Sequence, residues 1–231
     1  MSARDQILGG IRKSLKREAL GTEASAVLDA RLGRHERNLI PARTTVLDDA
    51  GRVELFLTMA KEVQTTISRV ADAAAVPGAV ADYLAQNNLP AEIAMAPDPA
   101  LDAYPWNERP LLSIRRGKAE DKDPVSVTGA FAAIAETGTL MLISGPDSPT
   151  TLNLMPDTHI VVLRAGQIVG PYEEAWDRLR VRQGEKALPR TVNFITGPSR
   201  TGDIEQRIEL GAHGPRRLHI VLVEDTAPAG S

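Results

Sequence analysis

Apolar residues recur every four positions at the start of the chain: Ile7, Ile11 and Leu15, with Leu8 beside them. That spacing predicts a helix with one apolar stripe, ringed by Arg12, Lys13, Lys16 and Arg17. Gly9 and Gly10 weaken such a helix intrinsically, so it needs a surface to pack on: its own domain, a partner protein or a second copy. A membrane surface suits it less, because the apolar face is short and lacks Trp and Phe. A second, mostly polar helix is expected from Glu23 to Asn38, and Pro41 to Gly51 reads as a loop or linker.

Beyond that linker the pattern alternates between two periods. Leu55, Met59 and Val63 predict a helix over Val53–Ile67, followed by a short strand over Ser68–Ala71. A helix is expected over Val76–Asn88, stopped by Asn87-Asn88-Leu89-Pro90, and then a buried strand over Glu92–Ala96. Pro97 to Asp123 is less regular, with Pro97, Pro99, Pro105 and Pro110 and a charged run from Arg115, and reads as an excursion or lid across a sheet edge. Strands are expected at Val125–Thr128, Thr139–Ile143, Thr158–Leu163, Val192–Ile195 and Leu218–Val223. Ala130–Ala135 reads as strand, or as strand then short helix. Helices are expected at Tyr172–Arg182 and, briefly, from about Gly202.

Helices alternating with short apolar strands imply an α/β domain built on a mostly parallel open sheet with crossover helices. The expected organisation is an N-terminal helical segment over residues 1–45, the α/β domain over 46–226 and a tail over 227–231.

Composition narrows the function classes. Across 231 residues, 27 Lys and Arg face 30 Asp and Glu, for a net charge of −3, which argues against a nucleic-acid binder held by a dominant basic surface. Aromatic residues make up only 3%, too few for a base-stacking platform. There is no cysteine, so disulfides, thiolate catalysis, Cys-ligated zinc and iron–sulfur clusters held by these residues are excluded. No apolar run has the length of a membrane span, and MSARDQILGG lacks the apolar core and cleavage site of a secretory signal, so the expected location is the cytoplasm.

Three segments place polar residues where apolar strands end, and in open α/β sheets ligands are expected outside the carboxyl ends of the strands. In the first, Ala135-Glu136-Thr137-Gly138-Thr139, the Glu136 carboxylate is a candidate nucleophile or general base; the same residues also suit a plain hairpin turn. In the second, Met155-Pro156-Asp157-Thr158-His159, strand alternation would set Asp157 and His159 on one face, where the acid can fix or charge the imidazole. No third ligand lies nearby, so no metal is expected. In the third, Thr196 to Glu205, a Gly/Ser/Thr turn leads into the expected helix, whose free N–H groups would hold an anion with Gly197, Ser199, Arg200 and Thr201. Asp203 and Glu205 would cap that helix or balance a cation. All three segments are expected to converge on one pocket. His213 and His219 suit structural roles, and His35 the surface.

Taken in order, Ala135–Thr139, Leu154–Ile160 and Thr196–Glu205, followed by Gly211-Ala-His213-Gly214-Pro215-Arg216, resemble the signature of the lactate utilization protein C family. The opening Ser2–Leu8 is similar to that family's N-terminus. The resemblance implies a lactate-utilization (LUD) domain, akin to the sugar-isomerase, ribose-5-phosphate isomerase and CoA-transferase-like fold. It also implies a place in L-lactate oxidation to pyruvate, with iron–sulfur clusters on partner proteins and none on this chain. The alternative is a stand-alone isomerase or acyl/CoA-transferase-like enzyme using Glu136.

Overall fold

The computed structural model describes residues 2–18, 20–37, 39–184, 187–204 and 207–224. Glu205 and the tail over 227–231 lie outside them. The chain divides into two units after Leu39.

The first unit holds α1 (Ala3–Ser14) and α2 (Thr22–Arg34). Ser2 and Asp5 close a reciprocal cap on α1: the Asp5 N–H donates to Ser2 Oγ at 3.2 Å, and the Ser2 N–H donates to the Asp5 carboxylate at 3.0 Å. Arg12 and Lys13 sit in the last turn, where the helix dipole favours cations. α2 ends at Arg34 because His35 turns left-handed, short of the Asn38 expected from sequence. Neither helix contains a buried residue.

In the second unit, the stretch read as a linker carries α3 (Ala42–Thr45) and the first turn of α4 (Asp49–Glu62). Asp48 starts α4 early by accepting the Gly51 N–H at 2.8 Å. The helix stops at Glu62, short of Ile67, because Gln64 turns left-handed with φ 66° and the β-branched Thr65-Thr66-Ile67 favours extended chain.

There follow β1 (Thr66–Val70), α5 (Val76–Gln86), β2 (Glu92–Met95), α6 (Pro99–Asp102), β3 (Ser113–Arg116), β4 (Val125–Gly129), β5 (Ala132–Ile134), β6 (Thr139–Ile143), α7 (Thr151–Leu154), β7 (Thr158–Arg164), β8 (Ile168–Val169), α8 (Tyr172–Gln183), β9 (Val192–Ile195), β10 (Arg200–Ile204), β11 (Arg207–Leu210) and β12 (Arg217–Val223). Six strands form a wholly parallel sheet in the order β1-β12-β7-β4-β2-β3. The mostly parallel α/β fold expected from sequence is thus present. Pro97 to Asp123 extends this sheet rather than covering it, since β3 pairs with β2 as the edge strand.

β7 and β12 are adjacent interior strands buried on both faces, as their unbroken apolar runs require. Ile160, Val162, Val221 and Val223 pack with Val80, Leu84 and Met95 on one face. Val161, Leu163, Ile220 and Leu222 pack with Phe56, Leu57 and Ala60 of α4 on the other. That second face also receives Ala133, Leu140 and Leu142 from a second sheet, which the sequence pattern does not reveal. Its order is β8-β5-β6-β9, antiparallel except for β5 with β8. Its outer residues, Ile134, Met141 and Val169, pack on Ala175 and Leu179 of α8. Among the described residues no helix is long and apolar enough to cross a membrane.

A further expectation fails. No helix begins at Gly202: β10 and β11 form an antiparallel hairpin, with Arg200 opposite Leu210, Thr201 opposite Glu209 and a register shift before Ile204. The physical reason is in the spacing, since Ile204, Ile208 and Leu210 recur with period near two or four and Thr201 and Ile204 are β-branched, which favours a ribbon. The helix N-terminus proposed as an anion site is therefore absent.

Two glycine turns meet the end of α4. Gly138 has φ 66°, and a Cβ there would lie 2.3 Å from the Ala60 amide nitrogen; Gly197 has φ 77°, and a Cβ would lie 2.3 Å from the Val63 carbonyl oxygen. Gly138→Ala and Gly197→Ala are each expected to destabilise the protein by at least about 2 kcal/mol, from combined backbone strain and overlap. Urea denaturation checks this, and a loss below about 0.5 kcal/mol, the range of neutral surface changes, would contradict the close approach.

Candidate functional site

A cavity of about 500 Å³ opens at the amino ends of β7 and β12, where His159 and Leu218 are each the second residue of their strand. The sequence reading placed ligands at the carboxyl ends instead. Those ends face two other clefts, of about 370 Å³ beside Asp98 and Gly129 and about 430 Å³ beside Arg69 and Glu224. The latter is lined by ion pairs, since Arg69 bonds both Glu54 and Glu224.

Four chain segments build the amino-end cavity. The end of α4 supplies Glu62 and Val63, the end of α7 supplies Asn153 and Leu154, the chain after β9 supplies Thr196 to Arg200, and the approach to β12 supplies His213 to Pro215. α7 is fixed from two directions: Ser126 Oγ donates to the Leu152 carbonyl at 2.6 Å, and the Ala119 N–H donates to Thr151 Oγ1 at 3.1 Å. The loop around Ser199 is tied to the chain before β12. The Ser199 N–H donates to the Pro215 carbonyl at 2.8 Å, and the Gly211 N–H donates to the Ser199 carbonyl at 3.0 Å. Arg200 donates to the Val63 carbonyl at 2.6 Å, placing its charge at the C-terminus of α4, where the helix dipole favours a cation.

The floor holds two buried polar groups. His159 is fully buried; its Nε2 lies 2.8 Å from Thr128 Oγ1, while Nδ1 has no protein partner. Burial holds its pKa down at about 3, so the ring is neutral at physiological pH. Asn153 is 3% exposed, and its Oδ1 likewise has no protein partner. A buried polar atom without a partner costs about 1–3 kcal/mol.

A run of hydroxyls connects the cavity to the Glu136–Gly138 turn. Thr196 Oγ1, in the lining, lies 2.6 Å from Thr139 Oγ1; Thr139 lies 2.7 Å from Thr137 Oγ1; and Thr137 lies 2.8 Å from the Tyr172 hydroxyl. Thr137 and Thr139 thus support the cavity from behind, and Gly138 faces α4. Glu136 is not in the lining: its N–H donates to the Gly170 carbonyl at 3.1 Å, and its own carbonyl accepts from Arg43 at 3.0 Å.

Of the residues expected from sequence, His159, Gly197, Ser199 and Arg200 come together in the lining. Thr201 and Asp203 run into β10. Asp157 is exposed, 3.8 Å from Arg216, and does not share the cavity with His159. Asn153 and His213 are lining residues that the sequence reading did not select. Both stand within or beside the quoted motifs, Asn153 just before Leu154 and His213 in Gly211–Arg216, which was the available signal. His219 sits on the other face of the sheet, stacked on Tyr83 at 3.8 Å and bonded through Nδ1 to Thr66 at 2.8 Å. Among the described residues no group of three or more His, Asp or Glu is placed to hold a metal ion.

The cavity is a candidate site in an α/β domain, with the neutral His159 and Asn153 buried in its lining and one acid, Glu62, beside one arginine, Arg200. The LUD domain matches residues 53–223, well over half of the chain, so the chain belongs to the LUD domain family. A DUF162 family protein from Deinococcus radiodurans shares 30% identity and superposes with a TM-score of 0.58, over 77% of this chain and 99% of that one. Lactate utilization protein C of Halalkalibacterium halodurans is 36% identical over 110 residues, 47% of each chain. Its Bacillus subtilis counterpart is 35% identical over 109 residues, 47% of this chain and 45% of that one. The chain thus spans about half the length of the curated relatives it matches.

The buried histidines make stability depend on pH. Burial lowers the pKa of His159 from 6.5 to about 3 and that of His219 from 6.5 to about 4. Each is protonated more readily in the unfolded chain, so its stabilisation is complete above about pH 6.5 and is lost as pH falls toward the folded value. Below about pH 6, stability should fall by up to about 1.4 kcal/mol per pH unit for each ring, and His159→Gln should remove one share of that slope. Urea denaturation between pH 7 and pH 5 measures it; a flat profile would contradict neutral burial.

Proposed function

We propose that this chain serves lactate utilization as a non-redox subunit of a system that oxidises L-lactate to pyruvate, with iron–sulfur clusters carried by partner proteins. The observation that carries this reading is membership of the LUD domain family, together with relatives named lactate utilization protein C. The composition supports the division of labour, because residues without a cysteine supply no thiolate for a cluster. In this role the cavity at the amino ends of β7 and β12 binds a small organic anion, with Arg200 and Ser199 as the charge-recognising groups. An isomerase or acyl-transfer reaction using Glu136 is the weaker reading, since that carboxylate lies outside the cavity.

The test is co-purification of the tagged chain from its native cells, followed by lactate-dependent dye reduction with and without it. A Cys-rich iron–sulfur protein is expected to co-purify. Dye reduction is expected to need both components and to fall at least about tenfold when this chain is omitted, a change of about 1.4 kcal/mol in barrier terms. Lactate oxidation by the isolated chain, or full activity without it, would overturn the reading.

A further inference from the structure

We infer that the groove between α5 and the chain entering β3 is the surface on which two copies of this protein pair, each inserting Leu111 into the groove of the other. The groove has a volume of about 390 Å³. Leu84 and Ala85 of α5, with Leu89 beyond it, line one side, and Pro110, Leu111 and Leu112 line the other. Leu112 is buried, but Leu111 keeps 91% of its surface exposed, more than any other described large apolar residue from Ile40 onward. An apolar knob thus stands in water beside an apolar hole. Burying the one in the other removes both from solvent, which the hydrophobic effect favours.

Charge marks the same rim. Glu108 and Arg109 line the groove and are exposed, and neither side chain has a hydrogen-bond or ion-pair partner among the described residues. Arg109 lies over the first turn of α5: a Cβ on Gly78 would fall 2.8 Å from Arg109 Nη2. The start of a helix carries the positive end of its dipole, so this guanidinium sits where a carboxylate is favoured. A second copy is the occupant that meets each of these needs. A two-fold interface matches a patch with itself, so the patch must hold knob beside hole and both signs of charge. Leu111 beside the groove, and Glu108 beside Arg109, have that composition, and pairing brings Glu108 of each copy to Arg109 of the other. The ten residues lining the groove are fewer than the about 20–30 per partner of a standard interface, so the pairing is weak and depends on protein concentration.

Sedimentation velocity on the full chain, from about 1 µM to about 1 mM, tests this. The sedimentation coefficient is expected to rise with concentration and to level off at the dimer. Glu108→Arg and Arg109→Glu should each weaken pairing at least about tenfold, because the two-fold axis sets two like-charge contacts in place of two attractive ones. The double reversal, Glu108→Arg with Arg109→Glu, should restore it, which a change in fold or in net charge alone does not do. Cross-linking gives an independent reading, since the chain has no cysteine of its own. Chains carrying Leu111→Cys, mixed with chains carrying Ala85→Cys, should form a disulfide between copies under mild oxidation. A monomer at every concentration would overturn the proposal and leave the groove to a different partner. A dimer indifferent to both single reversals and giving no Leu111→Cys to Ala85→Cys cross-link would place the contact on another face, and would overturn it equally.

Discussion

Gly138 and Gly197 press two turns against the last turn of α4, so closely that a methyl group on either would overlap helix backbone. One turn joins β5 to β6 and the other follows β9, so this contact sets how the second sheet lies on the first. The Val63 carbonyl, otherwise an open acceptor at a helix end, lies against Gly197 and accepts from Arg200. The arginine that charges the cavity is therefore also the group that caps the helix beneath it. Remove the close approach, and the hydroxyl run from Tyr172 through Thr137 and Thr139 to Thr196 loses its registration.

The second constraint is the desolvation of the strand starts. Parallel strands β7 and β12 bury both faces, which leaves polar residues in them only where they find partners or meet a cavity. His219 stacks on Tyr83 and bonds Thr66 through Nδ1 on the α5 face, while its Nε2 has no protein partner. His159 finds Thr128 with one nitrogen and leaves the other unbonded below the cavity. The two rings, alike in burial and in depressed basicity, are thus distinguished by what lies beyond them: an aromatic ring in one case, and a space lined by Ser199, Arg200 and His213 in the other.

Much of this was legible in the sequence where the signal is local. The apolar runs of β7 and β12, the stripe of α1 and the stop after α5 follow from spacing and from residues a few positions apart. The motif segments around Gly138, His159 and Ser199 were recognisable, and they carry the family assignment. What sequence spacing could not supply is long-range partnership. Thr139 meets Thr196 across 57 positions, and His159 meets Thr128 across 31. Gly202-Asp203 carries helix-start chemistry, yet tertiary pairing takes that segment into a ribbon. The carboxyl-end rule for open sheets points to clefts other than the one where His159, Gly197, Ser199 and Arg200 meet, because it describes where crossover loops diverge and takes no account of a second sheet packed on the first.

The central claim is that the amino-end cavity, and neither the Glu136 turn nor the carboxyl-end clefts, is where this domain meets its ligand. Backbone amide chemical-shift mapping during titration with glycerol 3-phosphate tests it most directly, because it surveys all three places at once. The largest shifts are expected on Gly197, Ser199, Arg200 and Gly214. Largest shifts at Glu136 to Thr139, or at Gly129 and Ser144 to Ser148, would contradict it.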